Sequence, residues 1–212
     1  MLLYAATIFL SAFLLFQVQP LIAKLILPWF GGAAGVWTTC VLFFQLLLLG
    51  GYAYAHGLIK RLPPRKQSIL HLTLLALSLA TLPILPSPRW KPAPLDEPTF
   101  RILALLAFTV GLPYFLLSTT GPLIQAWFAR DLRTQTMSPY RLYALSNLGS
   151  MLALLSYPVG IEPWLSGHGQ AWLWSGGYAL FALLCGFIAW RGRLAPISVP
   201  GDAAVTELPP TL

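Results

Sequence analysis

Charge is scarce in this sequence, and carboxylates are scarcest: of 212 residues only 9% are charged, with six acids against thirteen Lys and Arg. A soluble domain carries about 25% charged residues to keep its surface hydrated, so a water-covered globule is excluded. Cysteine is nearly absent. Cys40 and Cys185 stand alone inside apolar runs, without the paired spacing of a disulfide framework or a metal site, and read as small packing residues. No G-x-G-x-x-G run follows a strand pattern, so a nucleotide-binding loop is missing. The doublets Gly31-Gly32, Gly50-Gly51 and Gly176-Gly177 all lie in or beside apolar stretches. The first apolar stretch is long and has no basic start, so a cleaved signal peptide is not expected.

What is abundant is apolar surface, with 57% hydrophobic residues and a mean hydropathy of +0.72. A helix needs about 20 apolar residues to cross the roughly 30 Å hydrocarbon core. The sequence predicts six such helices, over about 3–27, 35–59, 67–85, 101–128, 139–160 and 171–190. Ser138-Pro139 reads as a helix start, Ser as N-cap and Pro at the first helical position. Between Pro83 and Pro98 there are six prolines in sixteen residues, which predicts an extended loop. Residues 1–193 form the expected all-α membrane domain, and 194–212 a polar, Pro-rich tail.

The net charge of +7 does not point to nucleic acid, because the basic residues fall in short clusters between apolar runs. Lys60, Arg61, Arg65, Lys66, Arg130, Arg133, Arg141, Arg191 and Arg193 fall on one predicted side; Lys24, Arg89, Lys91 and Arg101 fall on the other. The positive-inside bias places the first side, with both termini, in the cytoplasm of a bacterial inner membrane. Trp29, Trp37, Trp164, Trp172 and Trp174 then lie at outer helix ends, with Trp90 in the outer loop, and Trp127 and Trp190 at inner ends, at the headgroup level that amphipathic rings favour.

The chain also repeats itself. Phe13-Leu14-Leu15 and Pro20-Leu21-Ile22 recur 102 residues later as Phe115-Leu116-Leu117 and Pro122-Leu123-Ile124. Three helices per unit would turn the second unit over in the membrane, giving a 3+3 inverted repeat of the kind found within each half of a major-facilitator fold. Chance matching of Leu and Phe in so apolar a chain is the competing explanation.

Polar groups inside a bilayer are costly and mark candidate sites. Gln17 and Gln19 flank Pro20, while Ser118, Thr119 and Gln125 flank Pro122. They are candidates for contacting a substrate or partner, or they satisfy the carbonyls that each proline frees. Lys24 either snorkels to the outer interface or meets an anion. Asn147, with Ser146, Gly149, Ser150 and Ala153 around it, reads as a helix-packing seam. His56 and His71 are accompanied by no further donor motif, so neither a cofactor nor a metal is expected. None of the six acids is predicted near the midplane, which weighs against a proton relay or a polyamine cation path.

Several ordered motifs carry a family resemblance. The run from Ser11 to Ile22, then Leu27-Pro28-Trp29-Phe30-Gly31-Gly32, is similar to the membrane part of bacterial fused major-facilitator/spermidine-synthase-like proteins. So are the run from Leu112 to Thr120 with Pro122-Leu123 and Trp127-Phe128, and the run from Leu142 to Ser150, preceded by Pro139-Tyr140 and followed by Tyr157-Pro158 and Glu162-Pro163. The resemblance implies half of a major-facilitator fold. It reaches only the amino-terminal membrane segment of that family, since the residues of the synthase domain are absent. The expected function is a non-catalytic multi-pass module, an anchor or subunit whose partner, besides the lipid bilayer, is another membrane protein or a second six-helix unit. The alternative is a half-transporter that moves a small solute after pairing. An enzyme acting through unrecognised residues and a pigment- or haem-associated role complete the candidates.

Overall fold

The computed structural model describes residues 1–92, 98–131 and 140–194, with side chains placed through residue 192. Among them every regular element is helical. Helix α1 spans Leu2–Phe30, α2 Ala34–Arg61 and α3 Pro64–Leu79. A 3-10 turn at Pro88–Trp90 lies in the connection after α3. Helix α4 spans Pro98–Arg130 with a π-helical turn at Ala107–Gly111, and α5 spans Tyr140–Ile161, ending in a π-helical turn at Tyr157–Ile161. Helix α6 spans Gly167–Leu194. Five of these, all but α3, are long and apolar enough to cross a membrane, the build of an all-α multi-pass membrane protein. The predicted cap at Ser138-Pro139, the charges of Asp96, Glu97 and Arg133, and the tail from residue 195 lie outside the described residues.

Helix α1 carries no charge before Lys24 and only scattered polar side chains, and a helix without a continuous polar face must be covered by protein or lipid. Its 29 residues reach roughly 43 Å at 1.5 Å per residue, more than the hydrocarbon core. Pro20 and Pro28 are carried inside it and Pro122 inside α4, as membrane helices tolerate when neighbours re-satisfy the freed carbonyl. Helix α3 departs from expectation. It begins at Pro64, whose fixed φ suits the first helical position, and stops at Leu79 rather than near residue 85. Pro83 has no N–H to offer the Leu79 carbonyl and its ring would clash there, and Pro86 and Pro88 come before another turn could form. The chain closes with tightened turns, Ala80 N–H to Leu77 O and Thr81 N–H to Ser78 O.

Helices α1 and α4 occupy the centre. Helix α1 packs on α5, α6 and α4; α2 packs on α4, and α3 on α6. Helices α2 and α5 are peripheral, with Leu42, Leu46 and Leu49 of one and Met151, Leu154 and Leu155 of the other exposed. In lipid such packing rests on close contact and interhelical hydrogen bonds, each about 0.6 kcal/mol on average. Ser11 Oγ donates to Leu117 O (3.1 Å) and Gln19 Nε2 to Tyr114 Oη (3.3 Å), joining α1 to α4. Tyr178 Oη donates to Ser78 Oγ at 2.7 Å, joining α6 to α3.

Two tryptophans correct the boundary reading. Trp174 is buried and its indole donates to Leu14 O at 2.9 Å. Trp127 is buried and donates to Gln67 Oε1 at 3.1 Å, beside the Arg130 guanidinium on the same oxygen. Each N–H finds an acceptor on a neighbouring helix, so neither ring needs the headgroup layer. Trp37, Trp164, Trp172 and Trp190 are exposed.

Candidate functional site

A polar groove of about 280 Å³ lies between α1, α4, α2 and α5. Its walls carry Ser11, Tyr52, Ser118, Tyr143, Ser146, Asn147 and Ser150. Positions 143, 146, 147 and 150 are spaced i, i+3, i+4 and i+7, one face of α5. Tyr52, Tyr143 and Asn147 are exposed along its mouth, so the groove opens to the surface of the chain.

Local packing explains why the groove lies there. Gly149 is buried where a Cβ would come within 2.8 Å of the Phe9 carbonyl, and Gly51 where one would overlap Ser118 Oγ and approach the Phe115 carbonyl at 3.2 Å. These two glycines let α5 close on α1 and α2 close on α4. The hydroxyls inside the groove donate to backbone: Ser11 to Leu117 O, Ser150 to Ser146 O (3.0 Å) and Ser118 to Phe115 O (2.6 Å) and Leu47 O (3.3 Å). With their protons committed, these hydroxyls keep acceptor capacity alone, and the Asn147 amide adds two donors and an acceptor. No charged side chain lines the groove among the described residues. What the groove offers is hydrogen bonding and shape rather than charge.

The residues singled out in the sequence separate into three places. Ser118, Ser146, Asn147 and Ser150 meet at the groove, while Gly149 and Ala153 are buried beside it. Gln17 is buried, its Nε2 without a hydrogen-bond partner; Gln19 reaches Tyr114; Thr119 turns back to its own helix at Leu116 O (2.7 Å); Gln125 is half-buried. None of these four lines the groove. Lys24 lies away from it too, its Nζ 2.7 Å from a carboxylate oxygen of Glu162, which the ammonium holds below the ordinary carboxylate range. That pair joins α1 to the turn between α5 and α6.

Ser11, Tyr52 and Tyr143 were not legible as site residues. Tyr143 offered a signal, because it continues the 146–147–150 stripe one turn earlier. Ser11 and Tyr52 reach the groove through helices brought together only by folding.

A second polar cluster is enclosed among α2, α3, α4 and α6. His71 is fully buried, its Nε2 3.6 Å from Cys185 Sγ and its ring edge-on to Trp127. Its Nδ1 and the hydroxyl of nearby Tyr54 have no hydrogen-bond partner. His56 is exposed instead. Cys40 and Cys185 are both free and buried, and no group of three or more His, Cys, Asp or Glu is placed to hold a metal among the described residues.

No family model, no curated protein and no solved structure matches this chain.

Proposed function

We propose that the chain is a non-catalytic membrane module, an anchor or subunit, that acts by pairing with another membrane segment across the groove between α1, α2, α4 and α5. The observation that carries the reading is the exposed Asn147 amide within a stripe of hydroxyls on an otherwise lipid-facing helix. An amide facing hydrocarbon leaves its donors and acceptors unmet, whereas a partner's side chains or an enclosed film of water would meet them. The groove suits a pairing surface because Tyr143, Ser146, Asn147 and Ser150 stand along one face of α5 at its open mouth.

The architecture we infer is six crossings arranged as a 3+3 inverted repeat, with both termini cytoplasmic in a bacterial inner membrane. Exchange of the two triplets maps the α1–α5 packing onto the α4–α2 packing, which supports the repeat read from the 102-residue offset. The ordered motifs of α1, α4 and α5 support kinship with the amino-terminal membrane segment of the fused major-facilitator/spermidine-synthase-like proteins. A second reading, a half-transporter, is favoured by the groove's position between the two proline-bearing helices, since a partner laid over it would enclose a hydroxyl-lined path.

A photo-crosslinking residue placed at Asn147 in native membranes tests the pairing. It should give one protein adduct of defined mass, matched by a stoichiometric complex on purification, while the same residue at lipid-facing Leu180 should give lipid adducts alone. Lipid adducts alone from position 147, with the chain purifying as a monomer, would sink the proposal.

A further inference from the structure

A second cavity, of about 520 Å³, lies where the connection after α3 meets the first turns of α4. Its shape follows from the π-helical turn at Ala107–Gly111. The extra residue in that wider turn leaves Thr109 buried against the cavity while Phe108 stands out, 74% exposed. Trp90 stacks on Phe108 with ring centroids 5.7 Å apart, fixing the 3-10 turn that carries Arg89. Arg89, Ser87 and Thr109 converge on the cavity beside Leu85 and Phe108.

The cations at this end are otherwise engaged. Lys24 is paired with Glu162, Lys91 sits over the Trp29 ring at 5.6 Å, and Arg101 has a partner of its own. Arg89 has no hydrogen bond or ion pair among the described residues, and the same holds for the Ser87 and Thr109 hydroxyls. Arg89 is exposed, Ser87 half-buried and Thr109 buried, and a guanidinium with two hydroxyls at one cavity can all donate to an oxyanion. The cavity wall beside them is apolar and continues onto an exposed phenyl ring, so the anion's body is hydrocarbon. Trp90 and Arg89 are the side chains that favour headgroup depth. These features together specify an amphiphile with its phosphate at the interface and its chains along Phe108.

We propose that this cavity binds one anionic phospholipid by its headgroup phosphate, with Arg89 as the charged contact, Ser87 and Thr109 as hydrogen-bond donors, and Leu85 and Phe108 flanking the acyl chains. The site is independent of the groove and of pairing, and requires only that the chain sit in a bilayer.

Native mass spectrometry of the intact chain, released from nanodiscs of mixed phosphatidylglycerol and phosphatidylcholine, tests it. The wild type should retain phosphatidylglycerol selectively, and R89Q should retain at least about fivefold less at the same thermal stability. Thr109→Val should show a smaller loss. R89K should keep most of the binding, since a point charge still meets a phosphate, and Lys91→Gln should leave it unchanged. Equal phosphatidylglycerol retention by wild type and R89Q would overturn the site. Displacement of the lipid by inorganic phosphate at matched concentration would overturn the assignment to a lipid rather than a free anion.

Discussion

At the scale of single residues, two contacts decide how closely the helices approach. Gly149 faces the Phe9 carbonyl and Gly51 faces the Ser118 side chain, in both cases closer than a methyl group permits. Gly149→Ala and Gly51→Ala should each destabilise the bundle by about 1–3 kcal/mol, the cost of overpacking a filled contact. Gly57, also in α2, has nothing within 4 Å of an added Cβ, so Gly57→Ala should leave stability unchanged or raise it. Thermal unfolding in one detergent checks the contrast, and equal effects at all three positions would remove the close-approach argument. The Lys24–Glu162 pair makes a different prediction, because its effect depends on pH. The folded-state pKa of Glu162 is depressed by the Lys24 ammonium. Its stabilising contribution is therefore present above the ordinary glutamate pKa of about 4.3 and is lost as pH falls through the lower folded value. E162Q should lower the melting temperature slightly at pH 7, and the gap to wild type should close as the pH falls below about 4. A gap that stays constant down to about pH 3 would show that the pair contributes nothing through its charge.

At the scale of elements, α3 is the informative case. Its 16 residues reach about 24 Å, short of a roughly 30 Å hydrocarbon core. The chain beyond its end is non-helical yet protected: Ile84 is fully buried and its N–H donates to Ser175 Oγ of α6 at 3.3 Å. Irregular backbone at membrane depth survives when protein covers it, so α3 and this stretch can complete one crossing between them. The expected outcome is that reporters fused after Arg65 and after Arg193 both read cytoplasmic, and that a reporter between Pro83 and Pro92 reads external. An external reading after Arg193 would mean that α3 does not cross. The sequence placed α3 correctly as an apolar helix but ran it through Pro83, because hydropathy continues past the point where backbone hydrogen bonding stops. The other helices begin and end within a few residues of expectation, since there the hydropathy pattern and the break in helix coincide.

At the scale of the whole molecule, the bundle has central helices α1 and α4 and peripheral helices α2 and α5, and the groove lies where all four meet. The sequence by itself determined the all-helical class and the apolar, multi-pass build, because both follow from composition and run length, which need no partner. It also singled out Ser118 as a candidate contact and Ser146, Asn147 and Ser150 as part of a helix-packing seam, since a hydroxyl or amide in an apolar run is conspicuous without any fold. Folding decided what each of them meets. Gln17 and Gln19 sit two residues apart and were equivalent in sequence, yet one is enclosed and the other reaches Tyr114. Lys24 finds Glu162, and Trp174 finds Leu14 O across 160 residues of chain. No local pattern encodes such pairs, because which side chains converge depends on how rigid helices are rotated and set against one another, and that is fixed by long-range packing at positions such as Gly51 and Gly149.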